Sequence, residues 1–317
     1  MKPDDQIRLV FSDGERFDFA PIRGETILAS AEKAGLTLAS NCKAGTCRTC
    51  MARDGNQEEV LLCITPAVGD ISLNLPYRRT DVISPSLRRA KINSFSRISR
   101  SVWELRYRLQ FPLPFLPGQY VEATFPGIDG ARRFSMANAP SQTEQVLHVR
   151  DLPGGAMSDY LGSRARPEDP FTVRGPYGTF YLRSTAKPKL FVSGGTGLAP
   201  IVSMLSSMNP GSAPPLSAVV GFAHADDAYN LEQLEALSRT LPLEVVLAAD
   251  GVGESRWPGV IANPLVALRD VTSAPLACGT EAYLCGPPGM VAAARTELLA
   301  RGFDAADVLN EEFVHSA

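Results

Sequence analysis

Four cysteines packed into one short stretch set the tightest constraint on this chain. They stand at Cys42, Cys47, Cys50 and Cys63, a C-x4-C-x2-C run followed by a later fourth. Thiolates at this spacing match the plant-type 2Fe–2S pattern. The first interval needs a tight loop, which Gly45 permits, and the loop's backbone N–H groups can then point at sulfur. Four cysteines also fit simple burial or a Zn(Cys)4 knuckle. Zinc knuckles usually take their ligands from paired C-x2-C units, and only one such pair is present. Six cysteines in 317 residues are far too few for a disulfide scaffold.

The rest of the composition bounds the class. Apolar residues make up 44% and charged residues 21%, enough to bury several cores, and the length predicts two or three domains. A net charge of −3 argues against a general nucleic-acid binder, which needs a basic face. The opening Met1–Gln6 is polar and leads into no apolar signal core. The stretch from Leu190 to Ala225 carries no Asp, Glu, Lys or Arg. Gly, Pro and Ser break it into short pieces, so it reads as a buried parallel strand, loop and helix rather than a membrane span. The expectation is a cytoplasmic protein that binds neither nucleic acid nor membrane.

Hydrophobic patterning divides the chain in three, with a linker over 78–87. Residues 1–77 begin with strands at Gln6–Phe11 and Arg16–Ala20 around Asp13-Gly14. A short helix over Glu25–Ala34 follows, and a strand at Ile71–Leu75 closes an α+β unit. Residues 88–186 hold short β-rich runs (Ala90–Phe95, Val102–Leu109, Tyr120–Phe125, Val146–Arg150, Phe171–Arg174), the mark of a small antiparallel β-barrel. In 187–317, strands at Leu190–Ser193, Ala218–Phe222, Leu243–Ala249 and Glu281–Cys285 alternate with helices at Leu198–Ser207, Leu231–Leu237 and Gly289–Ala300. That pattern predicts an α/β domain with a parallel sheet. Ser86–Arg108 carries seven Arg or Lys against one Glu. It reads as outward-facing strand positions or as a docking face for an acidic redox partner.

The cysteine segment resembles the ferredoxin module of the reductases that feed ring-hydroxylating dioxygenases, and the resemblance runs through all three parts. In domain order the chain is most similar to the benzoate dioxygenase reductases. The family implies a β-grasp ferredoxin domain, an FAD-binding β-barrel domain and an NAD-binding α/β domain, with Cys42, Cys47, Cys50 and Cys63 as cluster ligands. One departure stands out. The family's third and fourth ligands lie much further apart than the twelve residues between Cys50 and Cys63, which implies a less shielded cluster.

In the barrel, Arg132-Arg133-Phe134-Ser135 resembles the family's flavin motif and follows the barrel element Pro117-Gly118-Gln119-Tyr120. Phe134 offers an apolar face for the isoalloxazine ring, Ser135 a hydrogen bond at the atom that receives hydride, and Arg132 a planar fork for phosphate. His148 and Val149 fall on a barrel strand where the family touches flavin; His148 reads as a source of backbone contacts rather than an acid–base group. Gly154, Gly155, Met157 and Ser158 open a helix whose N-terminus suits an anion. In the family this segment holds the pyrophosphate, which favours FAD over FMN.

In the last part, Gly194-Gly195-Thr196-Gly197-Leu-Ala199-Pro200 follows a strand and opens a helix, a phosphate cradle. It resembles the G-G-T-G-x-A-P of ferredoxin-reductase-like proteins. Its partner is Cys285-Gly286-Pro287-Pro288-Gly289, and the resemblance places Cys285 beside the nicotinamide. Asp226 and Asp227 follow the strand Ala218–Phe222 in a loop without Arg or Lys. An acid there suits a ribose 2′-hydroxyl, so NADH is expected; capping a helix near Asn230 is the other reading. The tail Glu311-Glu312-Phe313 resembles the family's E-x-F ending, which places Phe313 near the flavin. Cys278, outside every motif, reads as a small buried residue.

The resemblance implies NADH oxidation, with hydride passing to FAD and single electrons then passing to the 2Fe–2S cluster and outward. Ser135 and Cys285 are the expected catalytic residues. The expected acceptor is the Rieske centre of a terminal oxygenase or a small intermediate ferredoxin, served by a monomer. The reductase of a diiron monooxygenase for phenol, toluene or alkanes shares all three modules. A zinc-bearing, flavin-free NAD-binding regulator is the alternative of another class, and it would be colourless.

Overall fold

The computed structural model describes residues 5–251, 257–271 and 279–313; Cys278 lies outside them. The described chain separates into two compact units. One runs up to Pro85 and includes Pro176–Thr179; the other holds Ser86–Gly175 and the residues from Phe180 onward.

In the first unit, strict alternation in β1 (Ile7–Val10) buries Ile7 and Leu9 and exposes Arg8. β2 (Arg16–Phe19) pairs with it antiparallel across the Asp13-Gly14 turn. Helix α1 (Ile27–Lys33) starts at Thr26, whose hydroxyl accepts from Ala29 N–H at 3.2 Å. β3 (Met51–Arg53) and β4 (Glu59–Leu61) form a small hairpin, and β5 (Ile71–Asn74) runs parallel to β1. The sheet order is β2-β1-β5-β3-β4. Ile7, Leu9, Ile27, Leu28, Ala31 and Leu73 are its buried apolar residues.

The second unit opens with an antiparallel barrel. Its strands are β6 (Ser86–Ser99), β7 (Val102–Leu109), β8 (Tyr120–Thr124), β9 (Arg132–Ser135), β10 (Glu144–Arg150) and β11 (Pro170–Tyr177), in the order β10-β7-β6-β11-β8-β9. A bridge from Met136 to Leu147 and the bond from Ala137 N–H to Val146 O (2.9 Å) return the end of β9 to β10, so the ring closes. Ile92, Leu105, Tyr107, Val121, Phe125, Leu147 and Phe171 fill it. Between β10 and β11 lies α2 (Ala156–Asp159), which runs on into a wider helical turn over Tyr160–Arg164.

A parallel sheet follows: β12 (Lys189–Gly194), α3 (Leu198–Ser206), β13 (Leu216–His224), α4 (Leu231–Thr240), β14 (Leu243–Gly251), β15 (Val260–Ile261), α5 (Pro264–Val271), β16 (Glu281–Gly286), α6 (Pro288–Ala300) and β17 (Val308–Glu312). Every residue of β12 and β16 is buried, as continuous apolar strands covered on both faces require. The order β15-β14-β13-β12-β16-β17 sends the chain from β12 to one side and brings it back on the other as β16. Between those two strands the topology switches, and the crevice at their carboxyl ends is where such sheets bind ligands.

At the opposite, amino ends of the same strands, Lys189 Nζ meets Glu281 Oε2 at 2.6 Å with both side chains under 5% exposed. The hydroxyls of Tyr283 and Thr185 donate to the same carboxylate. Removing one member of a buried pair strands the other charge. Lys189→Met is therefore expected to lower stability by about 3–5 kcal/mol in urea unfolding. Lys43→Met, which breaks an exposed pair with Glu32, should cost no more than about 1 kcal/mol. Equal effects would contradict the assignment. Among the described residues, no helix is long and apolar enough to cross a membrane.

Candidate functional site

The four predicted ligands lie on the loop before β3 and just after β4. Cys42 and Cys47 are half-buried; Cys50 and Cys63 are buried. The N–H groups of Ala44 and Cys47 both point at Cys42 Sγ (3.3 Å each), and Cys42 N–H points at Cys47 Sγ (3.4 Å). Burial works to raise the Cys42 thiol, but hydrogen bonds from Thr46, Ala44 and Cys47 bring it down to about 6. Burial and the neighbouring Cys63 push Cys50 up to about 12. The thiols thus come in two pairs, Cys42 with Cys47 and Cys50 with Cys63. Among the described residues, no three His, Cys, Asp or Glu side chains gather around one point to hold a single metal ion. Two thiolates on each of two irons is what a 2Fe–2S cluster takes, so the donor set fits it. Gly45 is left-handed at φ +76°, a conformation that strains any side chain.

In the barrel, Arg132-Arg133-Phe134-Ser135 is strand β9 itself. Phe134 is half-buried against the barrel core. The Arg132 guanidinium curls onto the carbonyls of Asp129 (2.8 Å) and Ala131. Ser135 is buried and its Oγ donates to Glu311 Oε2 at 3.1 Å. Glu311 lies on β17, directly beside Cys285 in the parallel register with β16. Burial pushes the Glu311 carboxyl up to about 8, against the hydrogen bond from Ser135. Burial, then the charge of Glu311, pushes the Cys285 thiol upward. Ser135 and Cys285, 150 positions apart in the sequence, therefore meet through Glu311. In the sequence Glu311 stands only inside the tail motif, and that E-x-F ending is the one signal that marks it. Phe313 packs half-buried against the sheet's core, and its N–H donates to Gly286 O.

The two glycine motifs interlock at the switch point. A Cβ on Gly197 would lie 2.2 Å from Cys285 O, and one on Gly194 would lie 2.7 Å from Met290 Sδ. Gly195-Thr196-Gly197 forms a tight turn that runs into α3, where Pro200 is buried. Gly286 follows Cys285 at the end of β16, and Pro287 heads α6. Tyr229 donates to Gly195 O at 3.1 Å, and its ring stands edge-on to His148 with centroids 5.0 Å apart. Burial, aided by Arg106, holds the His148 ring down to about 3, so it stays neutral and is no general acid at physiological pH. Val149 beside it is buried. His148 Nδ1 and Ser193 Oγ are buried without a protein partner. Trp103 Nε1 and Tyr107 Oη in the barrel share this state; Ser193 directly precedes Gly194 of the first glycine motif.

A cavity of about 690 Å³ is lined by Arg97, Arg100, Gly154, Ser158 and Asp227. Gly154 is left-handed at φ +70° with open space around its Cβ direction. Ser158 Oγ accepts from Leu152 N–H at 2.7 Å, which shapes the turn ahead of α2. Met157 packs into the barrel core. The helix-capping reading of Asp226 and Asp227 does not hold. Both sit in a tight turn at Ala225–Asp227, and α4 is headed by Asn230 in a left-handed conformation with no side-chain cap. The loop's lack of cations is also local only: Arg100, at the tip of the β6–β7 hairpin, grips Asp227 with Nε at 3.2 Å and Nη2 at 3.1 Å. The basic stripe over Ser86–Arg108 is largely answered from within. Carboxylates pair Lys91, Arg97, Arg100, Arg106 and Arg108, five of its seven cations, which favours the outward-facing strand reading over a docking face.

Comparison with known proteins runs the same way. Residues 10–68 match the family described as 2Fe-2S iron-sulfur cluster binding domain, 89–181 the oxidoreductase FAD-binding domain and 191–296 the oxidoreductase NAD-binding domain. The chain is 30% identical to the toluate 1,2-dioxygenase electron transfer component of Pseudomonas putida, over 97% of this chain and 98% of that protein. It is also 30% identical to the reductase component of phenol 2-monooxygenase of Pseudomonas sp. (strain CF600), over 93% and 91%. Among solved structures, the ferredoxin reductase in carbazole 1,9a-dioxygenase shares the fold at a TM-score of 0.70 and 22% identity, over 98% of both chains.

Proposed function

The chain belongs to the family of flavin- and iron–sulfur-containing reductase components of oxygenase systems, and from that premise we propose that it oxidises NADH and feeds single electrons to the terminal oxygenase of an aromatic ring-hydroxylating dioxygenase system. The acceptor is that oxygenase's Rieske centre or a small ferredoxin in front of it. The carrying observation is the junction of Ser135, Glu311 and Cys285, which joins the barrel to the switch point of the parallel sheet. We assign residues 1–77 to the cluster, 88–186 to FAD and 187–317 to NAD, in a cytoplasmic monomer.

Bound FAD supplies the exchange between hydride and single electrons that NADH and a one-electron cluster cannot make directly. The chain's own residues do the rest. Near neutral pH Glu311 keeps its proton and Cys285 stays a thiol, so no buried negative charge opposes hydride at the junction. Ser135 Oγ donates to Glu311; with FAD bound, the same hydroxyl would be the group available to the hydride-receiving atom. The turn at Gly195–Gly197 runs straight into α3, and a helix start of this kind would offer backbone N–H groups to a diphosphate. Cys42, Cys47, Cys50 and Cys63 hold the cluster, and the surrounding N–H groups stabilise added negative charge on sulfur.

The likeness over nearly the whole chain to a phenol 2-monooxygenase reductase supports a second reading, reductase of a diiron hydroxylase. The purified protein should be brown, with FAD and with iron and labile sulfide in the ratio of a 2Fe–2S cluster. It should support turnover by a Rieske oxygenase and not by a diiron hydroxylase. A colourless zinc protein would overturn the reading; turnover of the diiron partner alone would select the second.

A further inference from the structure

Asp227 is the acid that follows the second strand of the nucleotide sheet, the place where a carboxylate selects a ribose 2′-hydroxyl over a 2′-phosphate. It does not act alone. The Arg100 fork, carried by the barrel hairpin, engages both of its oxygens. The Asp227 side chain is only 14% exposed, whereas that of Arg100 is 57% exposed. A guanidinium has five donors, so the two bonds to Asp227 leave three to meet a phosphate. Arg97, which lines the same cavity as Arg100, is itself matched by Asp151 at 2.6 Å.

We propose that Arg100 is a specificity-determining residue for the coenzyme: by neutralising Asp227 from the barrel side, it lets the site accept a 2′-phosphorylated ribose, so that NADPH is used alongside the preferred NADH. The inference rests on the reading that Asp227 faces the adenosine ribose. An unpaired carboxylate would repel a phosphate bearing nearly two negative charges. Paired with Arg100 it presents no net charge, and the fork can turn from carboxylate to phosphate, a geometry it matches equally well. Coenzyme choice is then set jointly by barrel and sheet.

The test is calorimetric titration of the flavin-loaded protein with NAD+ and with NADP+, alongside kcat/KM for NADH and NADPH. Arg100→Ala should weaken NADP+ about tenfold relative to NAD+, with the change carried by KM rather than kcat. Arg100→Gln, which keeps the side chain's bulk, should do the same. Asp227→Asn frees the fork and should shift the ratio toward NADP+. If both Arg100 variants leave the NADP+ to NAD+ ratio within twofold while Asp227→Asn moves it, the Arg100 proposal is overturned and the ribose reading stands. If Asp227→Asn also leaves it unmoved, the ribose reading itself fails.

Discussion

Cys63→Ser should separate two activities. NADH-dependent ferricyanide reduction is expected to persist, because that small oxidant takes electrons from flavin. Cytochrome c reduction and oxygenase-coupled turnover should fall by roughly 100-fold, equivalent to about 2.7 kcal/mol on the barrier. Cys63 lies in the buried thiol pair with Cys50, and a serine hydroxyl is a far poorer ligand for this iron than a thiolate. The cluster unit has its own core around Ile7, Leu9, Ile27 and Leu73, and the barrel a separate one around Leu105, Tyr107 and Leu147. Flavin should therefore stay bound. The visible cluster absorbance and the FAD content of the variant check both halves of the expectation. Loss of ferricyanide reduction with FAD retained would contradict it.

Glu311→Gln acts at the other end. The Glu311 carboxyl titrates at about 8, so it is protonated at neutral pH and loses its proton as pH rises. Flavin reduction by NADH in the wild type should thus be fast below 8 and decline above it. The variant, neutral at every pH, should keep the wild type's low-pH rate and should lack the alkaline limb. Stability supplies a second readout. The folded protein holds this proton between the ordinary carboxylate range and about 8, where the unfolded chain has lost it. Stability should therefore fall as pH rises through that window in the wild type, and the slope should flatten in the variant. An identical alkaline limb in Glu311→Gln would assign the titration to another group.

Local chemistry was legible in the sequence. The cysteine spacing, the glycine turns and the apolar strands of the parallel sheet each announce themselves over a few residues. What escaped depends on long-range pairing or lacks a periodic signal. Strands β3 and β4 are three residues each, Met-Ala-Arg and Glu-Val-Leu, too short to show alternation. β9 was hidden inside its own motif, since Arg-Arg-Phe-Ser does not look like a run of β-formers. The Ser135–Glu311 bond spans 176 positions and the Arg100–Asp227 fork spans 127; no window of local sequence contains either. The charge stripe over Ser86–Arg108 looked unbalanced for the same reason, because Glu144, Asp151, Glu168 and Asp227 answer it from distant segments.

The central claim is that hydride from NADH arrives at the Ser135–Glu311–Cys285 junction and that the four-cysteine site lies downstream of it. Anaerobic stopped-flow mixing of NADH with the wild type and with Cys63→Ser, followed at the flavin absorbance, tests this most directly. Flavin should bleach at the same rate in both proteins, and the slower bleaching of the iron–sulfur bands should be missing from the variant. Abolished flavin bleaching in Cys63→Ser with FAD still bound would contradict the account.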